Sequence, residues 1–381
     1  MQDQPIYLDY NATTPMDPRV LEAMMPWFLR PSNAGSRTHA YGKAAKNGVE
    51  QAREQVAAVI GAQPEEIFFT SGATESNNIA ILGLVDFAAA SSRRHIVSTA
   101  IEHKAVLEPL EYLQRQGFEI DLVAPTSGGF VEAQSIIEKV RDDTLLVSVM
   151  HANNETGVIQ PLSEICELLR ETNVLFHTDA AQTFGKEVEE LRALDADLIS
   201  FTAHKIYGPK GIGGLFVRRS GTTKRPVAPI AVGGGQERGL RAGTIPVESA
   251  IGFGAAAELA TSEYQQRRQA ADALRQQLMA GLEQIDHRIN GDQTKCQSHV
   301  LNVTFPGVDS EALMMGLRES VAVSNGSACT SSSYKPSHVL VAMGLDGDAI
   351  ESTLRISWGQ ATESIPLDAI VKLVKELTVT L

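Results

Sequence analysis

"ISFTAHKIYGPKGIGGLFVRR", residues 199–219, holds the pattern from which the rest of the chain can be read. An apolar run ends at His204 and Lys205, and glycines follow at 208, 211, 213 and 214. A strand therefore hands a basic pair to backbone that can turn tightly around a ligand. A lysine so placed suits Schiff-base chemistry, because desolvation and neighbouring cations lower its pKa. The plainer alternative, a surface lysine before a hairpin, is disfavoured by the apolar strand leading directly into it.

The same strand-then-polar pattern recurs on either side. "EEIFFT", "HIVSTA", "TLLVSVMHA", "VLFHTDAA" and "ADLISFTAH" read as buried strands, with helical segments between most of them. "AAKNGVEQAREQVAAVIG" places apolar residues at 45, 49, 52, 56, 59 and 60, a helical period. Such alternation from about residue 40 to 255 predicts an α/β layer with a mostly parallel sheet, whose ligands bind at the carboxyl ends of the strands. From about 256 the character changes to a long charged helix, then "HVLNVTF", a helix around "SEALMMGLRE" and "TLRISWG", a smaller α+β domain. The segment after Pro366 reads as an amphipathic helix packing on its own domain.

Composition narrows the function. With 381 residues and 43% hydrophobic content the chain can bury a large core. Its 33 basic and 46 acidic residues give a formal charge of −13, which argues against direct nucleic-acid binding. The N-terminus lacks the features of a signal peptide, and no apolar run approaches the roughly 18 residues of a spanning helix. A cytoplasmic protein without a membrane partner is expected. The three cysteines, 166, 296 and 329, share no short metal spacing and do not suit a disulfide framework. Cys166 falls on the apolar side of a helical pattern and reads as core, and Cys296 lies in a polar segment and reads as incidental. Cys329 sits in "SNGSACTSSSYKPSH", among serines, a glycine and a proline, where a buried inert thiol would find no apolar setting.

Three further stretches carry chemistry. "FFTSGATESNNIAILGL" runs strand, small polar turn, helix, so Ser71 to Thr74 offer N–H groups and hydroxyls at a helix N-terminus, an anion site or an ordinary cap. "VLFHTDAAQTFGK" ends a strand at Asp179, with Gln182 close behind; the carboxylate could hold a ring nitrogen in its protonated state or cap a helix. His103, in "STAIEHKAVLEPL", follows another strand end, where stacking or proton transfer would suit it. A phosphate cradle, a carboxylate for a ring nitrogen and a Schiff-base lysine together specify pyridoxal phosphate.

"YLDYNATTP", "TSGATESNN", "EHKAV", "NNETG", "HTDAAQ", "AHKIYGPKGIG", "GGGQERGLRAGT", "SNGSACTS" and "LRISWG" follow one another along nearly the whole chain. In order and spacing they resemble the cysteine desulfurases of the class V aminotransferase fold, in the nitrogen-fixation and iron–sulfur-cluster branch. The resemblance implies a pyridoxal-phosphate transferase of fold type I, with a large domain (16–255) on a mostly parallel seven-stranded sheet. It also implies a smaller α+β domain (1–15 and 256–381) carrying the cysteine loop.

The resemblance implies the roles too. Cys329 would attack the sulfur of cofactor-bound L-cysteine, become a persulfide and carry sulfane sulfur to an acceptor protein, leaving L-alanine. A thiol with pKa near 8.5 is only a minor fraction ionised at neutral pH, so a base, His103, is expected to take its proton. Lys205 would hold the cofactor and, once released, move protons. Asp179 would keep the pyridine nitrogen protonated, Gln182 would bond the ring hydroxyl, and His103 would stack on the ring. Thr74, Thr202 and His204 would grip the phosphate with the amides of Gly72 and Ala73. Asn154 would sit near the ring hydroxyl and the substrate carboxylate, and Arg355 would bind that carboxylate. Thr244 would reach across a two-fold interface to the partner's phosphate, which implies a homodimer.

Departures from the family pattern are Thr202 for a frequent serine, Ala242 for a common serine and Gln360 for an arginine. The chain ends at "VKLVKELTVTL", without the tail that housekeeping members use to dock the iron–sulfur scaffold. That points to a dedicated desulfurase serving nitrogenase-type cluster assembly, tRNA thiolation or DNA phosphorothioation, and the stretch 324–344 resembles the last most closely. The rival readings are a selenocysteine lyase or other enzyme of this fold that does not use Cys329, and a sulfur-relay subunit without catalysis. Cys329→Ser would spare the first, and the second would lack the cofactor's absorbance.

Overall fold

The structure, a computed structural model, describes residues 4–219, 226–325 and 336–379, so Cys329 lies outside the described residues. After a short strand, Ile6–Tyr7 (β1), come the helices Pro18–Phe28 (α1) and Ala40–Val59 (α2). Ala45, Val49, Ala52, Val56 and Val59 of α2 are buried as their spacing predicts, and the His39 side chain caps the helix by accepting the Gly42 N–H at 3.1 Å. The main sheet comprises Ile67–Thr70 (β2), His95–Thr99 (β3), Glu119–Val123 (β4), Thr144–Ser148 (β5), Leu175–Asp179 (β6), Leu198–Thr202 (β7) and Gly213–Val217 (β8). Their order is β2-β8-β7-β6-β5-β3-β4, and only β8 runs antiparallel to its neighbours. Strands β3, β5, β7 and β8 are buried along their whole length, as expected of a sheet covered on both faces.

On one face the core centres on Phe184, Phe201 and Phe253, with Phe184 and Phe201 stacked at 4.3 Å between centroids. On the other, Phe68, Ile79, Leu84, Leu110 and Leu198 pack together. Beyond the sheet lie Arg288–Ile289 (β9), Val300–Thr304 (β10), Val321–Ala322 (β11) and Thr353–Ser357 (β12). β12, β10 and β9 form a three-stranded antiparallel sheet, and β11 pairs in parallel with β1. A second core, with Leu278, Leu301, Phe305, Ile356 and Trp358, covers them. The helix Val247–Leu282 spans both cores: Phe253 and Ala257 enter the first, Leu274 and Leu278 the second.

Two strands of the main sheet differ from the sequence expectation. β8 opens on Gly213 and Gly214, which read as turn glycines. Gly213 and Gly214 are instead needed for close packing: a Cβ at 214 would stand 2.3 Å from the Phe201 ring, and one at 213 would stand 2.7 Å from the Gly72 Cα. β4 is an edge strand with charged, partly exposed positions and little apolar signature.

The loop before the long helix is held by a buried ion pair. Arg53 of α2 donates to both carboxylate oxygens of Glu237 at 2.7 and 2.8 Å, and Glu237 also accepts the Phe69 N–H of β2 at 2.7 Å. Glu237 and Arg238 both adopt positive φ, 43° and 54°, a strained pair that this bonding stabilises. Glu237→Gln is expected to leave buried Arg53 with the half-exposed Glu50, 3.4 Å away, as its remaining counter-charge among the described residues and to cost about 3 kcal/mol in urea unfolding. The apolar double variant R53M/E237L is expected to recover most of that loss. Full stability in the single variant would show the pair to be dispensable.

Candidate active site

β2, β3, β5, β6 and β7 run in one direction, so their carboxyl ends release the chain along one sheet edge. There a cavity of about 520 Å³ opens, within the range of about 300–1,000 Å³ typical of ligand sites. Gly72, Ala73, Thr74, His103, Asn154, Asp179, Gln182, Thr202, His204, Lys205 and Arg355 all line it. Thr244 is exposed and does not line the cavity of its own chain.

At one end, the turn after β2 leads into the helix Ala73–Leu82 (α3), whose first N–H groups lack intrahelical acceptors. Gly72 there has φ 155°, and Glu75 draws the Ser71 N–H to its carboxylate while pairing with Arg241 at 3.0 Å. Thr202 and His204 follow from β7, with His204 Nδ1 3.0 Å from the Thr13 hydroxyl. Burial, helped by Lys205, pushes His204 down to about 4, so it is neutral.

At the far side Asp179 ends β6. Its Oδ2 accepts from Asn77 Nδ2 at 2.7 Å and its Oδ1 from the Ala181 N–H at 2.9 Å. These bonds fix the carboxylate at the cavity wall. Gln182 donates to the Asn11 carbonyl at 3.1 Å, and Asn11 in turn donates to the Asn154 carbonyl at 3.2 Å. Gln182 Oε1, Asn11 Oδ1 and Asn77 Oδ1 are buried in this wall without a partner among the described residues. Buried polar atoms seek partners, so this wall is shaped for a ligand bearing donors. Asn11 and Asn77 lie in motifs quoted above but have no distinctive spacing of their own to single them out.

His103 caps the helix Lys104–Gln114, its Nδ1 accepting the Ala105 N–H at 3.1 Å. Burial lowers its pKa, followed by Lys205 against the opposing pull of Asp179. With Nδ1 engaged, the neutral ring carries its proton on Nε2 and is a donor there. Accepting the Cys329 proton therefore requires His103 to give up the cap or change tautomer, a condition the sequence does not reveal.

Arg355 of β12 is nearly buried: Nη2 pairs with Asp9 at 2.6 Å, Nη1 donates to the Asn154 carbonyl at 2.9 Å, and Nε has no partner among the described residues. An incoming carboxylate would share this guanidinium with Asp9. Of the other cysteines, Cys166 packs against the first core with its thiol pushed up to about 12 by burial. Cys296 is more structured than its polar neighbourhood suggests, donating to the Thr156 carbonyl at 3.0 Å behind the Asn154 turn.

The site fits pyridoxal phosphate. It has a helix N-terminus, a carboxylate, a lysine and buried acceptors around one cavity, all from this chain. The chain belongs to the aminotransferase class-V family, whose model matches residues 6–369. It falls among the cysteine desulfurases of that family. The cysteine desulfurase IscS of Dechloromonas aromatica is 45% identical over 98% of this chain and 92% of its own. Among solved structures, a NifS-like protein superposes with TM-score 0.90 at 37% identity, covering 99% of this chain and all of its own. DndA from Streptomyces lividans has TM-score 0.81 at 47% identity, covering 91% of this chain and 98% of its own.

Two buried carboxyl groups flank the site residues and were not singled out from sequence. Glu102, fully buried, accepts from Thr99 and the Met150 N–H, both at 2.8 Å, and burial pushes it up to about 8. Glu155 accepts from Ser337 at 2.5 Å, and burial raises it to about 7. In the unfolded chain such a group ionises near its ordinary 4.5. Stability from protonated Glu102 is therefore complete below about 4.5 and is lost as pH rises through about 8. Glu102→Gln is expected to flatten the fall of unfolding free energy across that interval, measured by urea titration at successive pH values. Parallel curves for variant and wild type would mean that Glu102 ionises normally in the fold.

Proposed function

We propose that this chain is a cysteine desulfurase that withdraws sulfur from L-cysteine onto Cys329, leaves L-alanine, and passes the sulfur to an acceptor protein. The observation that carries the reading is the meeting of Lys205, Asp179 and Arg355 in one cavity with a phosphate-type helix end. Bound there, pyridoxal phosphate supplies an electron sink for bonds broken at the substrate carbon.

The chain's own groups do the rest. The α3 N-terminus, Thr74, Thr202 and neutral His204 would hold the phosphate. Asp179, oriented by Asn77 and the Ala181 amide, would keep the ring nitrogen protonated, and Gln182 and Asn154 would hold the ring hydroxyl. His103 would stack on the ring. Arg355, supported by Asp9, takes the substrate carboxylate. Lys205 holds the cofactor at rest and afterwards moves the proton at the substrate Cα. The Cys329 thiolate attacks the substrate sulfur, the S–S bond forms as C–S breaks, and the electron pair left on carbon is protonated to give alanine.

Support for the Cys329 role comes from the described residues on either side of its segment. Ser324 pairs through its backbone with Arg355, Ser337 bonds Glu155 beside Asn154, and His338 bonds the Glu102 carbonyl beside His103 at 2.9 Å. Both flanks are thus tied to residues next to the cavity.

The chain divides, on this reading, into a large unit (16–255) and a small one (1–15 and 256–381), and acts as a cytoplasmic homodimer. Two observations favour the dimer: Thr244 stands exposed outside its own cavity, and Leu21, Met25, Phe28 and Leu29 form an exposed apolar face at α1. Among the described residues no helix is long and apolar enough to cross a membrane. Of the candidate pathways we favour DNA phosphorothioation, on the likeness of stretch 324–344, with the desulfurase handing sulfur to a protein and not touching DNA.

The test is sulfide and alanine release from L-cysteine with a reductant present. Wild type is expected to yield both in equal amounts, while Lys205→Ala and Cys329→Ser each lose at least about a hundredfold in rate. Wild-type activity in Cys329→Ser would replace the persulfide route with a lyase reaction.

A further inference from the structure

The turn that carries His103 to the cavity is packed against a second histidine. His338 opens the short helix His338–Ala342, whose Val339 and Leu340 join Ile101 and Met150 in a small apolar core of their own. Met150 also lines the active-site cavity. Two polar bonds pin the same junction. Ser337 caps the helix by accepting the Leu340 N–H at 3.1 Å and gives its own hydroxyl proton to Glu155, beside Asn154. His338 Nε2 stands 2.9 Å from the carbonyl of Glu102, the residue before His103.

The two histidines are held in opposite states. A carbonyl only accepts, so His338 carries its proton on Nε2, and the lone pair of the neutral ring lies on Nδ1. Among the described residues that Nδ1 has no partner. In His103 the lone pair of Nδ1 is spent on the Ala105 N–H, and Nε2 is the donor. At this turn, His338 is therefore the histidine that can take up a proton without breaking a bond. We propose that His338 is the general base of the sulfur-transfer step: its Nδ1 takes the proton of the attacking thiol while the Glu102 carbonyl holds the opposite edge of the ring. The proposal rests on Cys329 being that thiol, as assigned above; both residues belong to one short stretch, "CTSSSYKPSH".

The groups around the ring favour a neutral resting state that can accept charge. Burial lowers His338 first, Lys104 lowers it further, and the bond to the Glu102 carbonyl opposes both. His103 and His338 disfavour each other's charge. Of the nearby carboxyl groups, Glu102 is engaged by Thr99 and the Met150 N–H, and Glu155 by Ser337. As the imidazolium forms, its Nε2–H bond to the carbonyl becomes charge-assisted and strengthens. The step balances. The thiol proton passes to Nδ1, the S–S bond forms as the substrate C–S bond breaks, and the electron pair left on carbon takes up a proton as the methyl group of alanine forms. The substrate's own thiol proton stays with the persulfide. The proton on His338 offsets the one gained by carbon, and its release returns the ring to its starting state.

The experiment reads alanine formed in a single turnover of holoenzyme with L-cysteine, across pH, in wild type, His338→Gln and His338→Ala. A thiol without a base reacts only through its ionised fraction, which falls about tenfold per pH unit below about 8.5. With the base in place, the wild-type rate should change by less than about threefold between about pH 8.5 and about pH 6.5. His338→Gln can still donate to the Glu102 carbonyl but takes no proton. It should be slower by about thirtyfold at pH 7 and should approach wild type by about pH 9, with the cofactor's absorbance unchanged. Added imidazole should restore at least about tenfold in His338→Ala. A His338→Gln rate equal to wild type at pH 7, or a deficit of the same size at every pH, would overturn the proposal. So would a wild-type rate that falls about tenfold per pH unit from about 8.5 downwards, a result that needs no variant to fold. Cys329→Ser checks the foundation separately: alanine formed there at the wild-type rate sinks the thiol assignment itself.

Discussion

The antiparallel strand β8 separates the two halves of the cofactor site, and its glycines set how closely they approach. β2 leads to the helix end at Gly72 and β7 leads to Lys205, with β8 hydrogen-bonded between them. At Gly213 any side chain would collide with the Gly72 Cα and the Phe201 carbonyl, at 2.7 and 2.6 Å from a Cβ. Strand spacing of about 4.8 Å thus fixes the anion-binding turn two strands from the lysine. Loop length has little freedom to alter that distance. The parallel strands β3, β5 and β6 then continue the same edge and bring His103, Asn154 and Asp179 to it.

Strand ends carried most of the information that sequence could convey. Lys205, Asp179 and His103 each follow a short apolar run, and the side chain beyond such a run is delivered to the ligand edge by the topology alone. What stayed hidden depends on contacts between distant segments. The Asp179 carboxylate is held by Asn77, 102 positions away, and Arg355 is paired with Asp9, 346 positions away. β8 was concealed for a different reason: its glycines look like turn residues until the neighbouring chain shows why no side chain can stand there. β4, at the edge, lacks burial on both faces and therefore lacks the apolar run.

The electrostatics of the site follow from burial more than from pairing. Glu102 and Glu155 are raised and His103 and His204 are lowered, with desolvation the leading cause in each. Burial thereby opposes charge on all four, while Glu75, Asp179, Arg355 and the lysines line the cavity itself. A neutral His204 can contact a phosphate as a hydrogen-bond donor without adding to the positive charge around Lys205. His103, committed through Nδ1 to its helix cap, presents a donor at Nε2. The ring is thus fixed in position before it takes part in any proton transfer.

The reaction requires two parts of the chain to meet, and the long helix Val247–Leu282 shows how that is organised. Its first half belongs to the core under the cofactor edge and its second half to the core under Arg355. A single helix of 36 residues, about 54 Å long, therefore sets the register between the two cores. Arg355 makes the junction explicit. It sits on β12 of the second core, donates to the Asn154 carbonyl of the first, and pairs through its backbone with Ser324, just before the cysteine segment. The residue best suited to hold the substrate carboxylate is thus hydrogen-bonded to both the cofactor-side turn and the root of the segment that bears the thiol. Substrate bound at Arg355 would stand where the two halves of the chemistry converge.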